Sequence, residues 1–220
     1  MAVEEKQGLS QAIEDYLKVI YDITLLEERA STMEISSFLG HKPASVTGML
    51  QKLASTEPPL VEYRKYRGAV LTAEGKLAAL ETIRHHRLLE TFLHQILGFS
   101  WDEVHDEAEK LEHVISEEFE ERIAAKLGHP SYDPHGAPIP SRELEMPAFS
   151  TLKMVEMRPG ESALVQRVCD ESSDVLRYLE DLGLLPGVMV VLEDVLPVDG
   201  NLCLRIAGSE DVLTIGPQIA

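Results

Sequence analysis

The sequence WDEVHDEAEKLEHVISEE, residues 101–118, has the periodicity of a helix and carries several side chains with metal-binding atoms. These side chains recur at spacings of four, three and one, and they are His105, Glu109, Glu112 and His113. Residues so spaced lie along one helix face. The apolar residues beside that face are Leu111, Val114, Ile115 and Phe119. The stretch is interpreted either as a helix that packs on one side and binds metal along its edge, or as a solvated acidic face that contains two histidines.

The composition describes a chain of 220 residues with a formal net charge of −18, long enough for two or three small domains. An acidic N-terminus and the lack of an apolar run of membrane-spanning length predict a soluble, cytoplasmic protein without a membrane partner. The two cysteines, Cys169 and Cys203, indicate neither a disulfide framework nor a thiolate zinc site. We therefore expect any metal to be held by oxygen and imidazole nitrogen.

The acidic charge is unevenly distributed along the chain. Residues 1–75 have eight Lys/Arg against eleven Asp/Glu, a net of −3, which leaves −15 on residues 76–220. Within 41–67, five Lys/Arg outnumber two Glu, a net of +3. Because phosphate attraction is a main source of affinity for DNA, this basic stripe predicts a local DNA-docking surface. The alternative is an ordinary surface of mixed charge.

The first 75 residues have the pattern of a winged helix-turn-helix. Three helices are predicted over 10–28, 32–39 and 43–53, followed by two short β-type runs that flank a basic tip at 65–68. The residues predicted to contact DNA are Lys42, Pro43, Ala44, Ser45, Thr47, Gly48, Gln51 and Lys52 on the recognition helix, with Lys65, Tyr66 and Arg67 on the wing. Trihelical folds also serve as protein-interaction modules, which is the alternative interpretation.

The rest of the chain is predicted to be helical and then β-rich. Two apolar-rich helices are expected over 76–97 and 102–127, and their unpaired apolar faces predict a homodimer, since helix-turn-helix proteins usually read two half-sites. After a Pro- and Gly-rich connector, about five short strands and one helix, at 173–182, predict a small β-barrel. The fold class is therefore mainly α with a C-terminal all-β domain, and the domains are 1–75, 76–145 and 146–220.

Five motifs resemble the metal-dependent repressors that include the diphtheria toxin repressor, the iron-dependent regulator and the manganese transport regulator. The motifs are IEDYLKVIY at 13–21, HRLLE at 86–90, VHDEAEKLEH at 104–113, PHGAPIP at 134–140 and LGLLPG at 182–187. The LGLLPG motif resembles the SH3-like, FeoA-like domain that the longer members of this family carry at the C-terminus. The resemblance implies a winged helix-turn-helix, a helical dimerisation domain and an SH3-like β-barrel. It also implies a dimer that binds palindromic operator DNA when metal-loaded and represses metal-uptake genes.

By the same resemblance, the primary metal site consists of Asp15, Glu109, Glu112 and His113. Iron-responsive members have Met at the position of Asp15 and Cys at that of Glu109, whereas manganese-responsive members have Asp and Glu. Carboxylate oxygen in place of sulfur favours a hard ion. The resemblance therefore implies Mn²⁺ as the cofactor, with Fe²⁺ as the alternative.

An ancillary metal site is also implied by the resemblance. It is formed by His86, Glu90 and His105, completed by Glu171 and Asp174 from the SH3-like domain. Some manganese-responsive relatives use the Pro-His-Gly loop instead, which would involve Asp133 and His135. Because Lys18 stands where the short manganese regulator has a ligand carboxylate, we expect two separate ions per chain rather than a closely spaced pair.

Other classes of function are less compatible with the sequence. A zinc deaminase needs Pro-Cys-x-x-Cys, a zincin needs His-Glu-x-x-His, and a ferritin-like site needs two Glu-x-x-His motifs. The sequence contains none of these motif sets. We therefore expect a protein that is not an enzyme and has no small organic substrate. A winged-helix regulator that senses an organic ligand, with a structural histidine stripe, is the remaining alternative from another class.

Overall fold

A computed structural model describes residues 9–169 and 172–220 of the chain. The chain divides into two compact units. The first comprises the residues up to His85 together with Arg142–Glu145, and the second comprises His86–Ser141 and Met146–Ala220. The three domain boundaries that we predicted stay a prediction. None of the helices in the described ranges has the length and apolarity that crossing a membrane requires.

The first unit begins with a three-helix arrangement and a β-hairpin. Its elements are α1 (Gln11–Thr24), α2 (Thr32–Leu39), α3 (Pro43–Ala54), β1 (Val61–Arg64) and β2 (Gly68–Leu71). Ser31 and Glu34 form a capping box that starts α2, and Gly40, with φ of 63°, ends it. β1 and β2 pair antiparallel. This order confirms the predicted winged helix-turn-helix.

Gly75 occupies a position at which no larger residue fits. It lies in the first turn of α4 (Ala73–Phe92), and an added Cβ would come within 1.9 Å of the Leu60 carbonyl oxygen. We expect Gly75→Ala to lower the free energy of unfolding by about 3 kcal/mol, because backbone must move to relieve the clash. Thermal unfolding measures this effect. Gly48→Ala in α3, where the added Cβ has nothing within 4 Å, is the control and should raise stability by up to about 1 kcal/mol. An unchanged midpoint for Gly75→Ala would contradict the expectation.

The helical part of the second unit contains the end of α4, a π-helical turn at Leu93–Leu97, α5 (Val104–Leu111) and α6 (Glu117–Lys126). The single helix predicted over 102–127 is wrong, because it is interrupted between α5 and α6. Ser116 has an extended backbone and its side chain accepts a hydrogen bond from the Phe119 N–H, so it caps the start of a new helix. Glu112 and His113 therefore follow the end of α5 instead of continuing it.

The C-terminal part of the second unit is a four-stranded antiparallel sheet with one helix. Its elements are β3 (Ser162–Leu164), α7 (Ser173–Asp181), β4 (Met189–Val195), β5 (Leu202–Ile206) and β6 (Val212–Ile215), and the strand order is β3-β4-β5-β6. About five strands were expected, and the described residues form four in this sheet. The segment after β3 leaves the sheet, since the Val168 N–H donates to the His135 carbonyl oxygen at 2.9 Å. The predicted fold class is confirmed, and closure into a barrel stays a prediction.

Candidate metal centres

His86 lies at the centre of a buried network of possible metal ligands. It is one helical turn before Glu90 on α4, and its Nε2 lies 3.0 Å from Glu90 Oε1. The same nitrogen lies 3.2 Å from Nδ1 of His105 on α5. On the other edge of the ring, Nδ1 of His86 is hydrogen-bonded to Glu112 Oε2. Two helices and the turn after α5 thus bring together residues that are up to 26 positions apart in sequence.

Glu109 lies between two sets of predicted ligands. Its Oε1 is 4.0 Å from His86 Nδ1 and 3.9 Å from His105 Nε2. His86, His105 and Glu109 each offer one ligand atom, and these atoms lie within 4.8 Å of one another. The same holds for Glu109, Glu112 and His113. The second unit thus brings together three of the four residues predicted for the primary site.

Asp15, the fourth residue predicted for the primary site, belongs to the first unit. It lies on α1, where its side chain is half-buried. The neighbouring helix positions Tyr16 and Leu17 are buried in the core of that unit. Its role as a ligand stays a prediction.

A third group of possible ligands is buried around the Pro-His-Gly loop. Glu90, Asp133 and His135 offer ligand atoms within 4.8 Å of one another. Asp133 Oδ1 accepts hydrogen bonds from the N–H groups of His135 and Ala137, both at 2.9 Å, so this oxygen shapes the turn. His135 Nε2 donates to the Trp101 carbonyl oxygen at 2.7 Å, while its Nδ1 lies 3.7 Å from Glu90 Oε1.

Of the two residues that we placed first for completing the ancillary site, only Asp174 lies among the described residues, and it is not part of these groups. Glu171 lies outside the described residues. Asp174 lies in the first turn of α7 with a fully exposed side chain, 3.8 Å from Arg177 NH1. Glu90, which contacts both His86 and His105, also lies next to His135 of the Pro-His-Gly loop.

Burial and mutual contacts shift the pKa values of the Glu90, Asp133 and His135 side chains. Burial raises the pKa of Glu90, but the charge of His86 and hydrogen bonds from the surrounding histidines outweigh it and hold the pKa well below its ordinary value. Burial lowers the pKa of His135, but contact with the Glu90 carboxylate outweighs it and raises the pKa to about 9. Burial and the Glu90 charge together raise the pKa of Asp133 to about 7. The surrounding histidines therefore favour the ionised form of the buried Glu90 carboxylate.

The chemistry of these groups fits a divalent metal that prefers oxygen and nitrogen. Every member of the three groups in the second unit is a Glu, an Asp or a His. Both cysteines are free, and neither belongs to a group of possible ligands among the described residues. Such a donor set suits Mn²⁺ and Fe²⁺, and it offers no thiolate to a softer ion.

The predicted DNA-contacting residues lie on the surface of the first unit. The exposed members are Lys42, Pro43, Ala44, Ser45, Gly48, Gln51, Lys52, Lys65, Tyr66 and Arg67. Thr47 is half-buried, and its hydroxyl donates to the Pro43 carbonyl oxygen at 3.0 Å. A groove of about 480 Å³ runs beside α3 and also includes Tyr16 and His41, which the sequence analysis did not single out. Their contact, Tyr16 Oη to His41 Nδ1 at 3.2 Å, joins residues 25 positions apart.

Three family descriptions match successive parts of the chain. Residues 8–69 match the N-terminal DNA-binding domain of the iron-dependent repressors. Residues 72–141 match the metal-binding and dimerisation domain of the same repressors. Residues 152–220 match the FeoA domain. These ranges cover the winged helix, the helices that carry the ligand groups, and the four-stranded sheet.

Individual relatives agree with these matches. The chain is 31% identical to the iron-dependent repressor IdeR of Mycobacterium leprae over 225 residues, covering 93% of this chain and 92% of that protein. It is 37% identical to the regulator MntR of Oceanobacillus iheyensis over 105 residues, 48% of this chain and 69% of the relative. A solved manganese-dependent transcriptional repressor, in complex with manganese, is 35% identical to this chain and superposes on it with a TM-score of 0.88. The match covers 94% of this chain and 96% of the solved chain. With its winged helix, its buried His and Glu groups and its FeoA domain, the chain belongs to the family of metal-dependent transcriptional repressors that includes DtxR, IdeR and MntR.

Proposed function

We propose that the chain is a Mn²⁺-activated repressor that binds palindromic operators of metal-uptake genes as a homodimer. The observation that carries this proposal is the donor set, in which Asp15 and Glu109 stand where iron-responsive members have Met and Cys. Carboxylate oxygen favours a hard ion such as Mn²⁺, and sulfur favours softer ones. The similarity to a solved manganese-dependent repressor supports the same choice of ion.

An iron-responsive repressor is the second candidate. The mycobacterial iron-dependent repressors are 30–31% identical to this chain over nearly its whole length. Fe²⁺ also accepts carboxylate and imidazole ligands, so the geometry of the ligand groups suits both ions. The selectivity therefore has to come from the type of ligand at positions 15 and 109.

Two ions per chain are part of the proposal. The primary site consists of Asp15, Glu109, Glu112 and His113. The second consists of His86, Glu90 and His105, completed by His135, with Asp133 shaping the loop; Glu171 and Asp174 are the alternative. The proximity of His135 Nδ1 to Glu90 supports this assignment.

The mechanism follows from the charge of these side chains. Without metal, the like charges of the Asp15, Glu109 and Glu112 carboxylates would repel one another. When bound, the divalent ion supplies the positive charge that offsets this repulsion. As a ligand of the same ion, Asp15 would hold α1, and with it the winged helix, to the residues that follow α5. The two winged helices of a dimer would then be fixed at the spacing of successive major grooves. Because the two binding events are linked, operator DNA should in turn tighten metal binding.

The dimer surface that we propose consists of apolar residues exposed on the helical part of the second unit. These residues are Ile96, Leu97, Phe99, Val114 and Phe119. Large exposed apolar side chains that cluster on one part of a protein mark interaction sites. Their place in the region that matches the dimerisation domain supports a second copy of the chain as the partner.

A residue that contacts phosphate and a residue that contacts bases should affect DNA binding differently when each is replaced by Ala. We expect Arg67→Ala to weaken binding to all duplexes alike and to reduce the slope of log affinity against log salt by about 1, because one phosphate contact is lost. Gln51→Ala should instead change the preferred sequence. Fluorescence anisotropy with the Mn²⁺-loaded protein, at several salt concentrations, measures both effects.

The duplex for this measurement is one selected from a random pool by the wild-type protein with Mn²⁺. Arg158→Ala removes an exposed arginine from the second unit and is the matched control, with an unchanged salt slope. If Arg67→Ala left the slope unchanged as well, the wing would not contact phosphate. If the wild type selected no sequence with Mn²⁺ present, the proposed function would be wrong.

A further inference from the structure

His135 is held from two sides by different parts of the second unit. Its imidazole Nε2–H donates to the Trp101 carbonyl oxygen, at 2.7 Å, in the segment before α5. Its own carbonyl oxygen accepts from the Val168 N–H, at 2.9 Å, in the segment after β3. Gly136 packs so closely there that an added Cβ would come within 1.9 Å of the Gln166 carbonyl oxygen. The loop that carries His135 is thus enclosed between the helical part and the β-rich part of the unit.

Trp101 belongs to the core of the β-rich part, although it precedes α5 in sequence. Its side chain is 5% exposed and packs in the same cluster as Leu176 and Leu179 of α7. The Trp101 ring also contacts the His135 ring, with centroids 5.4 Å apart. The carbonyl group that orients His135 therefore comes from a residue whose side chain is fixed by the sheet and α7.

The residue after Trp101 is fastened to α7 by two hydrogen bonds. The carboxylate of Asp102 accepts from Arg177 Nε at 2.6 Å, and the backbone carbonyl of Asp102 accepts from the Ser173 hydroxyl at 2.9 Å. The Asp102 side chain is 7% exposed, whereas that of Arg177 is 59% exposed. Charge-assisted bonds of this kind are among the strongest available to side chains. The backbone at 101–102 is therefore fixed by α7.

We infer that Asp102 and Arg177 are positioning residues for the second metal site, acting through the Trp101 carbonyl group on His135. This inference rests on the proposed function, because it takes His135 as a ligand. In the neutral form that metal binding requires, an imidazole that donates Nε2–H to a carbonyl oxygen has its free lone pair on Nδ1, which is the atom that faces Glu90. Arg177 pairs with Asp102 and lies 3.8 Å from Asp174, and neither of these belongs to the ligand groups that the described residues form. Its bond to Asp102 fixes the backbone group that sets the orientation of the His135 ring.

The test replaces Arg177 by Ala and by Lys in the full chain. Because the side chain of Arg177 is largely exposed, neither variant should prevent folding. Arg205→Ala is the matched control, since it removes the Arg205–Glu193 pair, at 2.7 Å, from the sheet of the same part. Calorimetric titration with Mn²⁺ alone gives the affinity of each of the two ions. Fluorescence of Trp101, the only tryptophan in the chain, reports directly on the segment that Arg177 fixes.

We expect Arg177→Ala to weaken the second Mn²⁺ by about 10-fold, as loss of an outer-shell partner of a metal ligand does, and to leave the first unchanged. Its Trp101 emission should shift to the red, Arg177→Lys should restore most of the affinity, and Arg205→Ala should behave as the wild type. Unchanged affinities in Arg177→Ala, or an equal loss in Arg205→Ala, would overturn the inference. The proposed function fails in a different way, namely if operator binding by the wild type does not depend on Mn²⁺.

Discussion

Glu112→Gln is expected to abolish Mn²⁺-activated operator binding, weakening it by more than about 100-fold, because loss of a direct ligand exceeds the usual outer-shell effect. The Glu112 side chain is buried, with one oxygen hydrogen-bonded to His86 Nδ1 and the other 3.3 Å from His113 Nε2. Glutamine keeps the volume of the side chain but removes its negative charge and replaces one acceptor by a donor. The carboxylate that belongs to the proposed primary site, and that also contacts His86 of the second, is thus lost without creating a cavity.

The matched control for this substitution is Glu107→Gln. It removes the same charge from α5, at a residue that pairs with Lys110 at 2.9 Å on the surface and belongs to none of the ligand groups among the described residues. Anisotropy of a labelled operator duplex over a range of Mn²⁺ concentrations compares the two variants. Sedimentation of both would show whether each remains a dimer. If Mn²⁺ activated Glu112→Gln and the wild type equally, Glu112 would not be a ligand of the primary site.

The double variant Asp15→Met with Glu109→Cys is expected to reverse the metal preference. A thioether and a thiolate replace two carboxylates, so the site becomes softer and favours Co²⁺ and Ni²⁺ over Mn²⁺. We expect the Mn²⁺ concentration needed to activate operator binding to rise by about 10-fold or more. The Co²⁺ concentration needed should fall relative to that of Mn²⁺. The measurement is the same anisotropy titration with each metal under reducing conditions.

Loss of charge alone has to be separated from this effect of ligand type. Asp15→Asn with Glu109→Gln removes both carboxylates without adding sulfur, and it should weaken activation by every metal. If the sulfur-containing variant kept the wild-type order of metals, selectivity would not arise from positions 15 and 109.

Local signals in the sequence were sufficient to predict the winged helix. The Ser31–Glu34 capping box, Gly40 and Pro43 mark the ends of α2 and α3, and each depends only on neighbouring residues. His86 and Glu90 are four positions apart, a spacing that places two side chains on one helix face, and their side chains are in contact. Ser116 and the acidic residues after it are also a capping signal, and they would have located the interruption that we missed between α5 and α6.

Contacts between distant residues could not be predicted from such signals. Asp102 and Arg177 are 75 positions apart, and the Trp101 carbonyl is 34 positions from His135. Neither spacing follows a helix or strand period, because both contacts depend on how the β-rich part packs against the residues before α5. The resemblance to known repressors named His135 as a possible ligand, but it did not indicate what orients its ring.

The titration of the apoprotein with Mn²⁺ and, without oxygen, with Fe²⁺ tests the central claim most directly. Binding to a selected palindromic duplex is followed at fixed salt, with free metal buffered in both series. We predict that Mn²⁺ switches on binding at a lower free concentration than Fe²⁺, because the proposed primary site offers carboxylate oxygen in place of sulfur. Activation by Fe²⁺ at the lower concentration would contradict the proposed ion, and binding that is indifferent to both metals would contradict the proposed function.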